Sequence, residues 1–166
     1  MNKIIIFLIM FFQFFSVATA LSYDYSATKS VPIRLAITEE ISTKDEIYEG
    51  QKILFRVLRD VYLNKQKIIK AGEIVPARIE TIITSGMNGF PAEIIVDNFT
   101  FKNIDNEKIL STYTDKGFNR CYMVYPLKWA LTLIPFAGSL TNFIKGGHAK
   151  IKTSEVITLY YFPDWN

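Results

Sequence analysis

Hydrophobic residues recur at every second position through most of residues 50–83. Ile53, Phe55 and Val57 open the pattern. The later members that share one face are Val75, Ala77, Ile79 and Ile83. Period two with many β-branched residues predicts half-buried strands. Polar turns at 64–67 and 70–73 separate the strands, and Gly72 is free to take a positive φ. We interpret this stretch as a β-meander.

The same alternation recurs on both sides of that stretch, in residues 31–37, 92–101 and 156–162. In the last run both faces are apolar, which predicts a central strand covered on one side by a helical segment. Residues 50–69 and 89–110 share a hairpin pattern, which either a duplication or ordinary hairpin geometry explains. The prediction is a mainly β domain, a small barrel or sandwich of about seven strands with one or two short helices packed on it.

Residues 126–145 have a different period. The apolar positions step by four and three, and they are Trp129, Leu133, Phe136, Leu140 and Phe143. The polar positions on the opposite side are Lys128, Thr132, Pro135, Ser139 and Asn142. This spacing predicts an amphipathic helix that begins at Pro126 and ends at the pair Gly146–Gly147. Pro135 predicts either a kink or a break into two short helices.

Two roles fit the apolar stripe of that segment. It either covers the β core or forms an exposed face that docks on a membrane or a protein partner. The polar side holds few cations, which favours core or protein contact over an anionic lipid surface. Only sixteen residues separate Lys128 from Lys145, and these include a proline and a glycine. The segment is therefore not expected to span a bilayer.

The N-terminus has the pattern of a signal peptide over residues 1–20. Lys3 precedes an apolar run from Ile4 to Phe15, and Ala18-Thr19-Ala20 supplies small residues at a cleavage site before Leu21. An uncleaved N-terminal anchor is the alternative. We expect residues 21–30 to be a flexible lead-in and residues 31–166 to form a single β-rich domain. The predicted location is exported, in the periplasm or associated with the cell envelope.

Charge and cysteine content narrow the functional classes. The net charge is +3, and the charges are scattered and of mixed sign, so we expect no nucleic-acid partner. A single cysteine, Cys121, cannot form a disulfide within the chain, although pairing with another chain stays open.

Few residues offer catalytic or metal-binding chemistry. Cys121 and His148 are the only cysteine and the only histidine, and a thiolate–imidazole dyad would need both. No hydrolase signature surrounds Cys121, so we interpret it as a buried thiol and His148 as a surface imidazole. The carboxylates of residues 38–49 are interpreted as an exposed acidic loop without the spacing of a calcium site. We predict no catalytic residue, no metal site and no cofactor.

One part of the chain resembles a known family. The pattern is Ile69-x-Ala71-Gly72, then Ala77-x-Ile79-x-Thr81-x-Ile83-x-Ser85 and Gly89. It resembles the barrel domain of the conjugation and type IV secretion channel component, in which a Lys/Gly turn precedes a strand and a Gly-containing loop. The turn at 103–110 has a counterpart there too. The resemblance implies an exported, barrel-like β domain that need have no catalytic residues.

These observations predict a non-enzymatic protein of the cell envelope that acts through contact with another envelope protein, in a structural or assembly role. The alternative is a peripheral membrane protein that binds through the amphipathic segment 126–145. In both cases the expected interaction face is the apolar stripe of that segment.

Overall fold

The computed structural model describes residues 30–132, 134 and 137–164. The predicted signal peptide and residues 21–29 of the lead-in lie outside these ranges. The strands are β1 (Val31–Ile37), β2 (Ile41–Ser42), β3 (Lys52–Val57), β4 (Val61–Leu63), β5 (Gln66–Ile69), β6 (Ile74–Ile83), β7 (Glu93–Asp97), β8 (Ile109–Leu110), β9 (Tyr113–Lys116), β10 (Lys150–Ile151) and β11 (Ile157–Tyr161). The helices are α1 (Cys121–Leu131) and α2 (Ala137–Leu140), with 3₁₀ turns at Met87–Gly89, Asn106–Lys108 and Thr141–Phe143.

Seven of these strands form one antiparallel sheet in the order β8-β11-β1-β3-β6-β7-β9. β8 and β9 lie at opposite edges, yet only Ser111 and Thr112 separate them along the chain. The sheet must therefore curl until its edges approach each other, which gives a half-barrel. The hydroxyl groups of Ser111 and Thr112 both donate to the carboxylate of Asp97 on β7. The predicted mainly β, barrel-like fold with short helices is confirmed.

The order of six of the seven strands is symmetric about the β1–β3 pair, and β9 has no counterpart. Across this pair β1 corresponds to β3, β11 to β6 and β8 to β7, and the small pair β2–β10 corresponds to β4–β5. Ala36 pairs with Arg56 between β1 and β3. The hydrogen bonds on either side of that pair have the same length of 2.9 Å, and they run from Thr38 N–H to Leu54 C=O and from Leu58 N–H to Arg34 C=O.

The sequence carries this symmetry as two interleaved repeats. Residues 31–42 correspond to 51–62, and residues 69–79 correspond to 151–161. Both copies of the second repeat hold the same turn, in which a glutamate N–H donates to the lysine carbonyl three residues earlier, at 3.2 Å for Glu73 and 3.0 Å for Glu155. The hairpin match between 50–69 and 89–110 is a different relation, since β3 and β7 lie on either side of β6.

The predicted meander between Gly50 and Ile83 is wrong in its pairing. The stretch does hold four consecutive strands, but β3 pairs with β6, and β4 pairs with β5 in a separate hairpin. Asn64 and Lys65 both have positive φ values, 51° and 68°, as a tight two-residue hairpin turn requires. The β4–β5 hairpin is thus an insertion between β3 and β6, which are neighbours in the main sheet.

Burial follows the predicted alternation until the strands bend. Ile53, Phe55 and Val57 are all buried, as the period-two pattern predicts. On β6 the pairing with β7 shifts register between Ile79 and Thr81, so a bulge moves the later residues to new faces. Ile83 is exposed for this reason, although strict alternation would bury it.

The core lies within the curled sheet and does not include the helical segment. Its members come from the strands and from Ala92, Phe99, Phe101 and Ala149. The prediction that β11 is covered on both faces is wrong. Ile157 and Leu159 are buried, whereas Val156 and Tyr160 on the other side are exposed to solvent. Apolar residues on this outer side reflect strand preference and not a second packed layer.

Candidate docking surface on the helical segment

Five glycines anchor the helical segment to the half-barrel, and we call them the glycine junction: Gly86, Gly89, Gly117, Gly146 and Gly147. Three stretches of backbone, 86–92, 117–120 and 144–147, meet here through direct hydrogen bonds. At four of the five, an added Cβ would lie 2.6 Å or less from a backbone atom of a neighbouring stretch, and at Gly86 it would lie 3.3 Å from the Cβ of Phe90. A Cβ on Gly146 would lie 2.0 Å from the carbonyl oxygen of Phe90, and one on Gly117 would lie 2.2 Å from that of Gly147. The junction therefore holds both ends of the helical segment at one place.

Helix α1 begins earlier than the sequence predicts. The expected start was Pro126, but the helix begins at Cys121 and Pro126 lies inside it. The side chain of Asn119 accepts a hydrogen bond from the Cys121 N–H at 2.9 Å, which stabilises the true start. Pro126 is the sixth residue of the helix, so it removes one interior hydrogen bond, the one to the Tyr122 carbonyl, and does not mark the start of the helix. The segment contains two separate short helices, α1 and α2, and this agrees with the predicted break into two helices.

Polar residues of the segment join its two halves. Lys128 Nζ on α1 donates to Asn142 Oδ1 at 2.9 Å. Thr141, only 2% exposed, donates its hydroxyl hydrogen to the Gly138 carbonyl at 2.8 Å. Lys128 and Asn142 belong to the predicted polar side and are both half-buried. Two of the four described residues of the predicted polar side, Lys128 and Asn142, therefore make a contact inside the segment, whereas Thr132 and Ser139 are exposed.

The apolar stripe faces solvent where the structure describes it. Trp129 is 77%, Leu140 65% and Phe143 75% exposed. Leu133 and Phe136, the other two predicted members, lie outside the described residues. Further exposed apolar side chains, which the helical spacing missed, are Phe118, Tyr122, Met123, Tyr125, Leu127 and Ile134. We call all these described residues together the apolar surface. Only Val124 on α1 is buried.

A signal for the missed members was present in the sequence. The run from Cys121 to Leu131 contains a single charged residue, and its apolar residues occupy every side of the helix. Such a helix is expected to be buried on all sides or to bind something. Since α1 packs only against α2 and the neighbouring 3₁₀ turns among its main contacts, most of its surface is left uncovered.

The charged side chains of the segment are all positive. No aspartate or glutamate occurs from residue 117 to residue 154. The 3₁₀ turn Met87–Gly89, which packs against α1, carries no charge either. Arg120 and Lys145 lie together at the base of the segment, where the guanidinium donates to the Lys145 carbonyl at 3.3 Å. The apolar surface is thus accompanied by cations and by no carboxylate from its own segment.

The predicted catalytic candidates are not joined in a dyad. Cys121 is half-buried at the start of α1, and the ring of His148 faces the Thr43 hydroxyl at 3.4 Å. Within the described ranges no hydrogen bond connects Cys121 with His148, and no group of three or more His, Cys, Asp or Glu side chains is placed to hold a metal ion.

The acidic stretch 38–49 is more ordered than a loop. β2 interrupts it and buries Ile41. Several of its carboxylates bind parts of the fold. Glu40 forms an ion pair with Lys150 at 2.7 Å, and Asp45 accepts the Ser42 N–H at 2.9 Å. These contacts give Glu40 and Asp45 structural roles.

A tyrosine–carboxylate cluster lies at the end of β9. The Tyr113 hydroxyl donates to Glu155 Oε1 at 2.9 Å. Burial, followed by this bond to the glutamate, raises the pKa of Tyr113 well above its ordinary value. Burial also raises the pKa of Asp115, which accepts the Lys150 N–H at 2.7 Å. Both groups tie β9 to the β10–β11 turn and offer no convergent reactive atoms.

Comparison with known proteins gives the chain no family. No protein-family model matches it, and the search of curated proteins finds no relative. Among the described residues, no helix is long and apolar enough to cross a membrane.

Proposed function

We propose that this protein is a non-enzymatic component of the bacterial cell envelope that works by docking, with the apolar surface of the helical segment as its contact face. The observation that carries the proposal is the solvent exposure of the segment's apolar side chains. Lys128 and Asn142 bind each other between its halves, while Trp129 and Phe143 point to solvent. Apolar side chains grouped in this way are typical of interaction sites.

The half-barrel serves as the scaffold in this proposal. Its core is complete without the helical segment. The segment is therefore free to carry the contact, while the glycine junction fixes its position. Export to the periplasm, with cleavage before Leu21, belongs to the same proposal and rests on the N-terminal sequence pattern.

Fractionation of bacterial cells that express the full chain tests the proposal. The docking variant carries Trp129→Glu and Phe143→Glu. The barrel control carries Leu54→Glu and Val156→Glu, which place the same charges on exposed apolar sites of the half-barrel. Wild type and barrel control should sediment with the envelope, and the docking variant should appear in the soluble periplasmic fraction. Retention of the docking variant at the wild-type level would contradict the proposal.

Sequencing of the mature N-terminus completes this experiment. A start at Leu21 is the expected result. An intact leader would mean that an N-terminal anchor retains every variant, and the docking role would then lose its support.

A further inference from the structure

We infer that the occupant of the apolar surface is the surface of an anionic lipid membrane, an inference that rests on the proposed docking function. The first argument is the kind of side chains exposed. Trp129, Tyr122 and Tyr125 are aromatic residues with a polar atom, the type enriched where apolar chains meet lipid headgroups. Their neighbours Leu127, Ile134 and Leu140 are purely apolar and exposed too.

The second argument is charge complementarity. The helical segment and the chain up to residue 154 carry no carboxylate, so no side chain of this stretch repels a phosphate headgroup. The nearest cations are Arg120 and Lys145 at the base and Lys128 on α1. A protein partner would ordinarily be matched by charges of both signs at the rim of its interface. A rim of one sign suits a surface that is uniformly negative.

The third argument is the position of the cations and the apolar residues along the helical segment, from its junction with the half-barrel to its far end. Arg120 and Lys145 lie where the segment joins the half-barrel, and the Arg120 guanidinium donates to the Lys145 backbone carbonyl there. From that base the eleven residues of α1 extend about 16 Å at 1.5 Å per residue. Trp129 and Ile134 follow at and beyond the far end of α1, before the chain returns through α2. Trp129 and Ile134 are therefore the apolar residues farthest along the segment from Arg120 and Lys145, the order expected if this end inserts below the headgroups.

The polar side of the segment holds few cations, and in the sequence analysis this argued against an anionic lipid surface. The distribution of carboxylates changes that interpretation. Lys128 Nζ donates to Asn142 Oδ1 at 2.9 Å. What matters for a negative surface is that the stretch of chain that carries the three cations, residues 117–154, holds no carboxylate. Each lysine or arginine near an anionic membrane strengthens binding by about fivefold.

Flotation of the purified mature protein with lipid vesicles tests the inference. One set of vesicles contains phosphatidylglycerol and phosphatidylcholine in equal parts, and the other contains phosphatidylcholine alone. We expect the wild type to float with the anionic vesicles and much less with the neutral ones. Binding should weaken at 1 M salt, where charge interactions are screened within about 3 Å. The docking variant should bind the anionic vesicles at least tenfold more weakly, and the barrel control should bind like wild type.

A single-charge variant separates the electrostatic part from the apolar part. Lys145→Gln removes one exposed cation at the base and should weaken binding to anionic vesicles about fivefold, with no effect on neutral vesicles. Circular dichroism of each variant establishes that it is folded, and the Lys145→Gln variant leaves the apolar residues untouched.

The outcomes distinguish this inference from the proposed function. If folded wild type fails to float with anionic vesicles, or if the docking variant floats equally well, the lipid inference is overturned. Should the docking variant nevertheless leave the envelope fraction in cells, the docking function stands and its partner is a protein. If the docking variant behaves like wild type in both experiments, both proposals fail.

Discussion

Alanine at Gly146 is expected to destabilise the protein by disrupting the glycine junction. The new Cβ would lie 2.0 Å from the Phe90 carbonyl oxygen and 2.3 Å from the Phe90 carbonyl carbon. Both are backbone atoms, so no change of rotamer can relieve the contact. Either the chain at residues 144–147 or the chain at Phe90 must move, and the hydrogen bond from Gly146 N–H to the Gly86 carbonyl at 3.3 Å would be strained with it.

The expected loss is about 3 kcal/mol, the upper part of the range for overpacked sites. Gly138→Ala is the matched control because it is also a glycine-to-alanine change in the helical segment. Its Cβ would meet nothing closer than 3.5 Å, the Lys128 carbonyl oxygen. Since Gly138 lies in α2, alanine there should be neutral or stabilise by up to about 1 kcal/mol.

Urea denaturation followed by circular dichroism measures both changes. With a urea dependence of about 2 kcal/mol/M, a loss of about 3 kcal/mol lowers the midpoint by about 1.5 M. Amide exchange adds a local measurement, since the Gly89 N–H that bonds to the Ile144 carbonyl at 2.8 Å should lose protection in the Gly146→Ala protein. Equal midpoints for the two variants would refute the close packing that we describe at the junction.

Two further predictions concern pH. Tyr113→Phe should lower the free energy of unfolding by about 1 kcal/mol at neutral pH, because a partly exposed hydrogen bond to Glu155 is lost. Since the pKa of Tyr113 is raised in the folded protein, the stabilisation by its hydroxyl is present below pH 10.0 and is lost at higher pH. The free energy of unfolding of the Tyr113→Phe protein should therefore change less with pH in the alkaline range than that of the wild type. The pKa of Asp60 lies below 3.8, first because the Ala71 N–H donates to it and then because Lys67 pairs with it, so Lys67→Met should raise that pKa only partly in a carboxyl NMR titration.

Matched controls exist for both measurements. Tyr48→Phe removes an exposed hydroxyl and should leave the alkaline profile unchanged. Lys70→Met removes a nearby exposed lysine and should leave the pKa of Asp60 where it is. The ion pair of Asp60 stabilises the fold above pH 3.8, and this contribution is lost as the pH falls through the lowered pKa. A Lys67→Met protein whose Asp60 pKa returned fully to its ordinary value would show that the Ala71 bond is not the main cause.

The strands were predictable because alternation reports burial directly. Ile53, Phe55 and Val57 are buried as their spacing predicts. Pairing was not predictable in the same way, because alternation says which face a residue occupies and nothing about the neighbouring strand. The alternation therefore could not predict that β4 and β5 are inserted between the paired strands β3 and β6. Nor could it predict the bulge near Thr81, which depends on the partner strand β7.

The two interleaved repeats were present in the sequence as a usable signal. Residues 31–42 and 51–62 share apolar residues at the alternating positions 33/53, 35/55, 37/57 and 41/61, and the turns before β6 and β11 share the Lys-x-x-Glu spacing. The hairpin comparison of 50–69 with 89–110 found a local similarity instead. A repeat of this kind is harder to see, because one half takes β1 and β11 from opposite ends of the described chain while the other half, with β3 and β6, lies between them.

The helical segment shows where a periodic pattern stops being informative. Spacing identified Trp129, Leu140 and Phe143 as one face, and the structure describes all three as exposed. It gave no means of deciding whether that face turns to the core or to solvent. The decision comes from the glycine junction, which fixes the segment outside the core, and from the bond between Lys128 and Asn142, which occupies the other side.

The fluorescence of Trp129 tests the central claim most directly. In a Trp165→Phe protein Trp129 is the only tryptophan. We predict water-exposed emission in the free protein, as its 77% exposure requires. On addition of phosphatidylglycerol vesicles the emission should shift to the blue and be quenched by lipids that carry a spin label near the headgroup. Blue emission without vesicles, or emission that vesicles leave unchanged, would contradict the account.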